Sequence, residues 1–464
     1  MLPLTLAEVA IACGGRLELG DEGRIVQSVT IDSRMVQHGD LFVGVRGEHF
    51  NGDDFAVDAL RAGAAAVVVR EVAGRHLPAG ASRIVVDDGR DALAALANAV
   101  RRRAGVAVAA ITGSVGKTST KDILAALLRP IAKVVASPGN FNNEVGLPLT
   151  LLSIDRSTEV VVAELAMRGQ GQIRELARIA QPNVGVITNI APVHLELVGS
   201  VEEVARAKSE LIEELGERSV VVPDGEPLLE PYLRIHRGRV VTFGRPGSSI
   251  CAIAVEMRGG GTHALIDAFG RRARFDFNFT GGHLLDDALA AIGAFIELGF
   301  TLEQAKLGAG QVEFSGLRGE VTLLTGGGVL LNDSYNANPI SMRAALDHLA
   351  SIAGGRPMVA ILGDMHELGS GAAGFHRAVG EYAATLGVRV IAIGELGRDY
   401  LVGAPGESWC ATVEECIEAL PKVIAPGTAI LVKASRAVRL ERVADVLLGK
   451  PGGAPAADAE ADRV

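Results

Sequence analysis

Apolar and polar positions divide the chain into stretches of different rhythm. Up to residue 87, short apolar runs at 25–31, 41–45, 65–69 and 83–86, broken by Gly and Asp turns, read as strands. The stretch 55–62, bounded by the Asn51-Gly52 turn, reads as a helix, and a basic helical pattern follows at 91–103. From 88 to 313 apolar runs (106–111, 160–163, 184–187) alternate with helical patterns, which implies a parallel sheet covered on both faces. Glycine-tipped segments around 259–261 read as a small antiparallel appendage. After Glu313 the pattern restarts, with strands expected at 329–331, 358–362, 388–393 and 429–432 and helices between them.

The expected fold class is therefore α/β in three domains. Residues 1–87 form a small N-terminal α/β domain, 88–313 a central parallel-sheet domain with a phosphate loop, and 314–449 a C-terminal Rossmann-like domain. The tail 450–464 is small, acidic and rich in Pro and Ala, which predicts disorder.

Between the run 106–111 and the helical pattern of Ile123, Leu124, Leu127 and Leu128 lies Thr-Gly-Ser-Val-Gly-Lys-Thr-Ser-Thr-Lys, residues 112–121. Strand, glycine loop and helix N-terminus together bind nucleotide phosphates: backbone amides approach the oxygens and the helix dipole favours the anion. Gly113, Ser114, Val115, Gly116, Lys117, Thr118 and Ser119 form the expected grip. Lys117 neutralises terminal phosphates and the Thr118 hydroxyl suits a magnesium ion, so ATP or GTP is the expected ligand. An ordinary αβ turn that contains Gly-Lys-Thr is the alternative.

Composition narrows the partners. Of 464 residues 48% are apolar but only 4% aromatic, so Ala, Val and Leu do most of the packing. Lys+Arg 45 against Asp+Glu 55 gives a net charge of −10, a poor balance for a nucleic-acid binder. Cys13, Cys251, Cys410 and Cys416 show no zinc spacing and no Cys-x-x-Cys, which points to packing residues in a reducing cytoplasm. No leader pattern opens the chain and no uninterrupted apolar run reaches about 18 residues, so a soluble cytoplasmic protein without a membrane span is expected.

Other candidate groups stand at strand ends, where open α/β sheets bind ligands. Glu164 can hold the magnesium of a nucleotide or cap a neighbouring helix. His194, in the loop after Thr188-Asn189-Ile190-Ala191-Pro192, is either a surface residue or a ligand for metal or phosphate. Lys208, among Glu residues on a helix at 201–214, reads as a solvated lysine. Three polar clusters end successive strands of the last stretch: 332–339, 362–369 and Lys433-Ala434-Ser435-Arg436. Each is a structural turn or one wall of a crevice; Asp333 suits a ribose or an amine, and the last cluster suits a carboxylate.

The loop departs from the usual pattern, because Ile111 stands where a glycine is expected five positions before Gly116. This shorter form resembles that of the Mur ligase family and the related folylpolyglutamate synthases. Asn140-Phe141-Asn142-Asn143-Glu144 with Gly146 and Pro148, the run 188–196, Arg318-Gly319 and the 433–436 cluster match the same superfamily. The run 333–339 and the run 362–369, with His376 after it, resemble the family member that adds D-alanyl-D-alanine. Asp32-Ser33-Arg34 and 39–43 are similar to that family's UDP-binding domain, and the resemblance covers nearly all of 1–447 in order.

The resemblance implies a monomeric cytoplasmic, ADP-forming amide ligase of peptidoglycan precursor synthesis. UDP-N-acetylmuramoyl-tripeptide would bind the N-terminal domain, ATP with Mg2+ the central one, and D-Ala-D-Ala the C-terminal one. The tripeptide carboxylate would take the γ-phosphoryl group to give an acyl phosphate, which the dipeptide amine then attacks. By position, Lys117, Glu164, His194 and Lys208 are the implied catalytic residues; Thr118, Glu164, His194 and a carbamylated Lys208 are the implied metal ligands. Asp287, Arg318, Asp333 and Asn336 would reach the nucleotide, while Ser33, Arg34, Asn142, Asn143, Lys433 and Ser435 would reach the substrates. Departures are Leu284 and Asp287 where Asn is usual, Asn51-Gly52-Asp53 for Asp-Gly-His, and Pro223-Asp224 where Asn commonly precedes Ala-Asp. A folylpolyglutamate synthase-like ligase and an ATP-binding switch or scaffold remain alternatives.

Overall fold

The computed structural model describes residues 1–47, 50–74, 77–403 and 408–450. Beyond Lys450 the expected tail lies outside the described residues. Among the described residues three β-sheets of five, nine and six strands follow one another along the chain, and a separate two-stranded ladder accompanies the first.

The nine-stranded sheet is organised around Ala107–Thr112, which pairs in parallel with Val160–Glu164 on one side and Val184–Ile187 on the other. Its alternate residues feed two cores. Ala109 and Ile111 face Ile123 and Leu127 of the helix Lys117–Leu128 and Ala288 and Ile292 of Gly282–Glu297. Val108 and Ala110 face Leu96 of Gly89–Ala104, Leu176 of Gln172–Ala180 and Leu211 of Val201–Leu215. Both faces are buried, so the strand is apolar from Ala107 to Ile111 and turns polar only at Thr112, where the loop begins. Strand order diverges at Ala107–Thr112, the next two strands lying to one side and the later ones to the other. The carboxyl end of this strand is thus the switch point at which ligands enter such sheets.

The expected antiparallel appendage is instead the outer part of this sheet. Ile250–Arg258 continues the parallel ladder through Phe243↔Ile250 and Gly244↔Cys251, then pairs antiparallel with Gly261–Ala268, and that strand with Arg271–Phe277. In the N-terminal unit the run 25–31 is split between two sheets: Ile25–Val26 pairs only with Leu4–Thr5, whereas Val29–Thr30 joins the five-stranded sheet through Leu41–Val43. Strand Arg16–Leu19, whose charged positions alternate with leucines, adds an antiparallel edge to the five-stranded sheet. Leu41, Val68 and Ile84 of this sheet share one continuous core with the helix Gly89–Ala104.

The last sheet runs Glu320–Leu323, Val329–Asn332, Ala429–Lys433, Met358–Leu362, Arg389–Ile393, Ser408–Cys410, parallel except at its first edge. All four cysteines are buried and free; burial pushes the Cys13 and Cys416 thiols up to about 12. Among the described residues no helix is long and apolar enough to cross a membrane.

Candidate active site

The phosphate loop leaves Thr112 at the switch point and is braced from the neighbouring strand end. Val115 N–H donates to Asn189 Oδ1 (3.0 Å), Ser114 N–H to the Asn189 carbonyl (3.1 Å), and Ala191 N–H to Ser114 Oγ (2.9 Å). Thr188 Oγ1 donates to the Val115 carbonyl (2.5 Å). Thr188 and Asn189 are thus buttresses of the loop, a role that the sequence reading did not assign.

Gly116 has φ 80, and a Cβ there would lie 2.2 Å from Asp287 Oδ1. Gly116→Ala adds a left-handed penalty of about 1–2 kcal/mol to that clash. Thermal unfolding of this variant should show Tm lowered by about 4 °C or more; an unchanged Tm would contradict the loop geometry.

Two lysines converge under the loop. Lys117 Nζ donates to the carbonyls of Gly113 (2.8 Å) and Ser114 (3.3 Å), and Lys208 Nζ donates to the same Gly113 carbonyl (2.9 Å). Burial lowers the pKa of Lys117, against the attraction of Glu164 and with the repulsion of Arg318. Lys208 is only 2% exposed, and burial followed by repulsion from Lys117 lowers its pKa well below the ordinary value. The expectation of a solvated Lys208 is therefore overturned: it stands in the apolar stripe Val204, Leu211, Leu215 of its helix.

Glu164 is buried at the adjacent strand end and caps no helix. Its carboxylate accepts Thr118 Oγ1–H and Asn142 Nδ2–H, each at 2.8 Å. Asn143, by contrast, spends its Oδ1 on Val145 N–H (3.2 Å) and Gly146 N–H (2.8 Å) at the start of the helix Gly146–Leu152. His194, at φ 53, is paired through Nδ1 with Glu367 of the C-terminal unit, itself at φ 62. The His194 hydrogen bond holds the Glu367 carboxyl below its usual range. Glu367, a partner from the facing unit 173 residues away, was missed because no local spacing reports such a pair.

The C-terminal unit brings Arg318 over the Tyr335 ring (3.9 Å to the centroid). Lys433 differs from its expected role as an open carboxylate ligand. It is 2% exposed, and its Nζ is held by Asp333 Oδ2 (2.5 Å) and the Asn336 carbonyl (2.8 Å), so its charge is already matched. Ser435 Oγ accepts His366 N–H (2.9 Å), and Asn336 Oδ1 accepts Ala337 N–H (2.9 Å). His376 Nε2 accepts Met365 N–H (2.9 Å), which shapes the 362–369 turn.

In the N-terminal unit Asp32 Oδ1 accepts Arg34 N–H (2.9 Å) and caps the turn Ser33–Met35, while the Arg34 guanidinium folds onto the same carboxylate. Arg70 binds Asn51 Oδ1 (2.8 Å) and Asp53 Oδ2 (2.7 Å), so these two departures serve the loop rather than a ligand. Asp287 is buried against Gly116, and burial with repulsion from Asp286 raises its pKa well above the ordinary value.

Ser33, Arg34, the phosphate loop from Ser114 to Ser119, Asn142, Asn143, Glu164, His194, Asp287, Arg318, Asp333, Asn336, Lys433 and Ser435 all line one cleft of about 3070 Å³ walled by all three units, whereas Gly113 lies outside that lining. Lys208 lies behind the loop, outside that lining. Among the described residues no group of three or more His, Cys, Asp or Glu side chains is arranged to hold a metal ion.

A phosphate loop at a sheet switch point, opening into a cleft walled by two further α/β units, defines a nucleotide-dependent enzyme. Three family models match along the chain: the Mur ligase family catalytic domain at 25–101, the Mur ligase middle domain at 111–295 and the Mur ligase glutamate ligase domain at 318–436. The chain belongs to the Mur ligase family. It is 35% identical to UDP-N-acetylmuramoyl-tripeptide–D-alanyl-D-alanine ligase of Bacillus subtilis, over 93% of this chain and 95% of that one. MurF of Acinetobacter baumannii superposes with a TM-score of 0.88 at 28% identity, covering 97% and 99% of the two chains. MurF of Thermotoga maritima in complex with ADP gives 0.81 at 29% identity, covering 92% and 98%.

Proposed function

We propose that this chain is the ATP-dependent, ADP-forming ligase that joins D-alanyl-D-alanine to UDP-N-acetylmuramoyl-tripeptide in the cytoplasm, in peptidoglycan precursor synthesis. The observation that carries the reading is the single cleft, into which the phosphate loop, the N-terminal turn at Ser33-Arg34 and the C-terminal cluster at Asp333–Asn336 all open. The names of the relatives, matched over nearly their whole length, support the same substrates. All of these groups come from one chain, so the proposed site is complete in a monomer.

The donor set fits magnesium. Thr118 Oγ1 and Glu164 supply hard oxygen donors 2.8 Å apart, and this ion needs one or two carboxylates beside substrate phosphates rather than a full protein cage. His194 and Lys208 are the candidates for a second ion, Lys208 once carbamylated. Bound there, magnesium supplies charge stabilisation for the transferring phosphoryl group.

The chain's own groups do the rest. Lys117 exchanges its loop carbonyls for phosphoryl oxygens, and the loop amides hold the remaining ones. Arg318, Asp333 and Asn336 reach the nucleotide from the C-terminal wall. A substrate carboxylate and a phosphate are both anions, and Lys117 with Arg318 lowers their repulsion. Closure of the cleft then keeps water from the acyl phosphate until the amine arrives. Purified protein should release phosphate only when ATP, UDP-N-acetylmuramoyl-tripeptide and D-Ala-D-Ala are all present. Release with single amino acids in place of the dipeptide, or without the muramyl peptide, would overturn the assignment.

A further inference from the structure

Three side chains that do not line the cleft hold the chain where it passes from the central to the C-terminal unit. Lys121, on the second turn of the helix Lys117–Leu128, is 2% exposed. Its Nζ donates to the Ser137 carbonyl (2.8 Å) and to Ser315 Oγ (3.3 Å), and pairs with Asp122 Oδ1 (3.1 Å). Asp122 in turn accepts Ser315 N–H (2.7 Å) and Ser315 Oγ–H (3.2 Å). Ser137 Oγ accepts the backbone N–H of Glu164 (3.2 Å), so the cluster also touches the strand end that carries the cleft carboxylate.

The hydrogen bonds locate the crossing. Before Ser315 every anchor is central: Val312 exchanges two hydrogen bonds with Asn278 (2.9 and 3.1 Å), and Phe314 meets Phe279 edge-on at 5.6 Å. From Leu317 onward the anchors belong to the C-terminal unit. Tyr335 N–H donates to the Leu317 carbonyl (3.1 Å), Leu317 N–H to Glu320 Oε1 (3.1 Å) and Gly319 N–H to Asp333 Oδ1 (3.2 Å). The junction is Gly316, where an added Cβ would meet nothing nearer than 3.7 Å. Leu317 follows at φ 64, a left-handed conformation that a leucine keeps only where its surroundings impose it.

We infer that Lys121, Asp122 and Ser315 are positioning residues, clasping the linker to the phosphate-loop helix so that Arg318 is delivered to the nucleotide as the C-terminal unit turns about Gly316. The inference rests on the ligase reading above. Ser315 is held on the helix that begins with Lys117, and three residues of chain extend at most about 10 Å. Arg318 is thereby confined to a short arc over the loop, whatever the rest of the C-terminal unit does. A buried ammonium is costly unless it is paired, and here the pairing serves the linker rather than a ligand.

The test is a double-mutant cycle on the full chain. Asp122→Ala should lower kcat about tenfold and leave KM for ATP within about threefold, because orientation rather than binding is lost. In an Arg318→Ala background Asp122→Ala should cost nothing further, since its effect passes through Arg318. Multiplying losses in the double variant would overturn the clasp and leave Asp122 with a general structural role. Ser315→Ala keeps the buried Lys121–Asp122 pair and serves if Asp122→Ala does not fold. A second readout needs no turnover: tryptic cleavage between Arg318 and Gly319, followed by mass spectrometry, should quicken in Asp122→Ala and in Ser315→Ala, both of which keep Arg318. Unchanged cleavage overturns the clasp even in a chain that shows no ligase activity, whereas wild-type protein without coupled phosphate release overturns only the ligase reading.

Discussion

Lys117→Ala is expected to abolish ligation and leave the fold intact. The loop does not depend on this side chain for its shape, because Asn189, Thr188 and the Ser114–Ala191 hydrogen bonds hold it from the neighbouring strand end. Removing the lysine also relieves a local excess of positive charge, since its amine shares the Gly113 carbonyl with Lys208 and faces Arg318. Stability should therefore hold, with Tm within about 2 °C of wild type. Transfer of a phosphoryl group gathers negative charge at the place to which Lys117 is tied. Loss of one such stabilising donor costs about a hundred- to a thousand-fold in kcat. A full charge on the transferring group places this loss at the upper end, to be read as phosphate release under saturating substrates. Turnover within tenfold of wild type would remove the loop from the mechanism.

The fold was legible where burial acts on every residue of an element. Strands such as Val160–Glu164 are covered on both faces, so the apolar run itself marks them. Arg16–Leu19 escaped because it is a partly exposed edge whose charged residues break the pattern. The phosphate loop was legible for a different reason, since its chemistry needs glycines and a lysine at fixed offsets within one loop. Lys208 was misread because its glutamate neighbours look solvated. Glu210 is in fact buried, accepting Gly171 N–H (2.6 Å) and Arg174 N–H (3.0 Å) at the start of the helix Gln172–Ala180. A signal did exist: Val204, Lys208, Leu211, Ile212 and Leu215 form one helical stripe, and a lysine inside such a stripe has no route to water. Lys121, Leu124 and Leu128 show the same feature on the loop helix. The pairing of Lys433 with Asp333 and of His194 with Glu367 depends on how sheets and units come together, and spacing along the chain is silent about both.

Lys208→Met should separate activity from stability. The native lysine is buried beside a like charge, and both effects favour its neutral amine. A methionine of similar length fills the same space without that cost, so the variant should unfold with equal or greater difficulty at neutral pH, by about 1–3 kcal/mol. The advantage depends on pH with a definite sign. Between the depressed native pKa of Lys208 and its ordinary value of 10.5, the unfolded chain binds one more proton than the folded one. Wild-type stability therefore rises with pH through that window, and the excess of the variant shrinks as 10.5 is approached. Denaturant titrations at several alkaline pH values will show this convergence; a difference that is constant with pH would mean that Lys208 stays charged in the native chain. Activity should fall by at least about a hundred-fold in the same variant, because a methionine offers neither a cation for phosphate nor an amine for carbamylation. Lys208→Ala distinguishes those two roles, since added acetate can stand in for a carbamate but not for an ammonium. Recovery of turnover with acetate assigns Lys208 a metal-binding carbamate, and recovery with methylamine instead assigns it the positive charge.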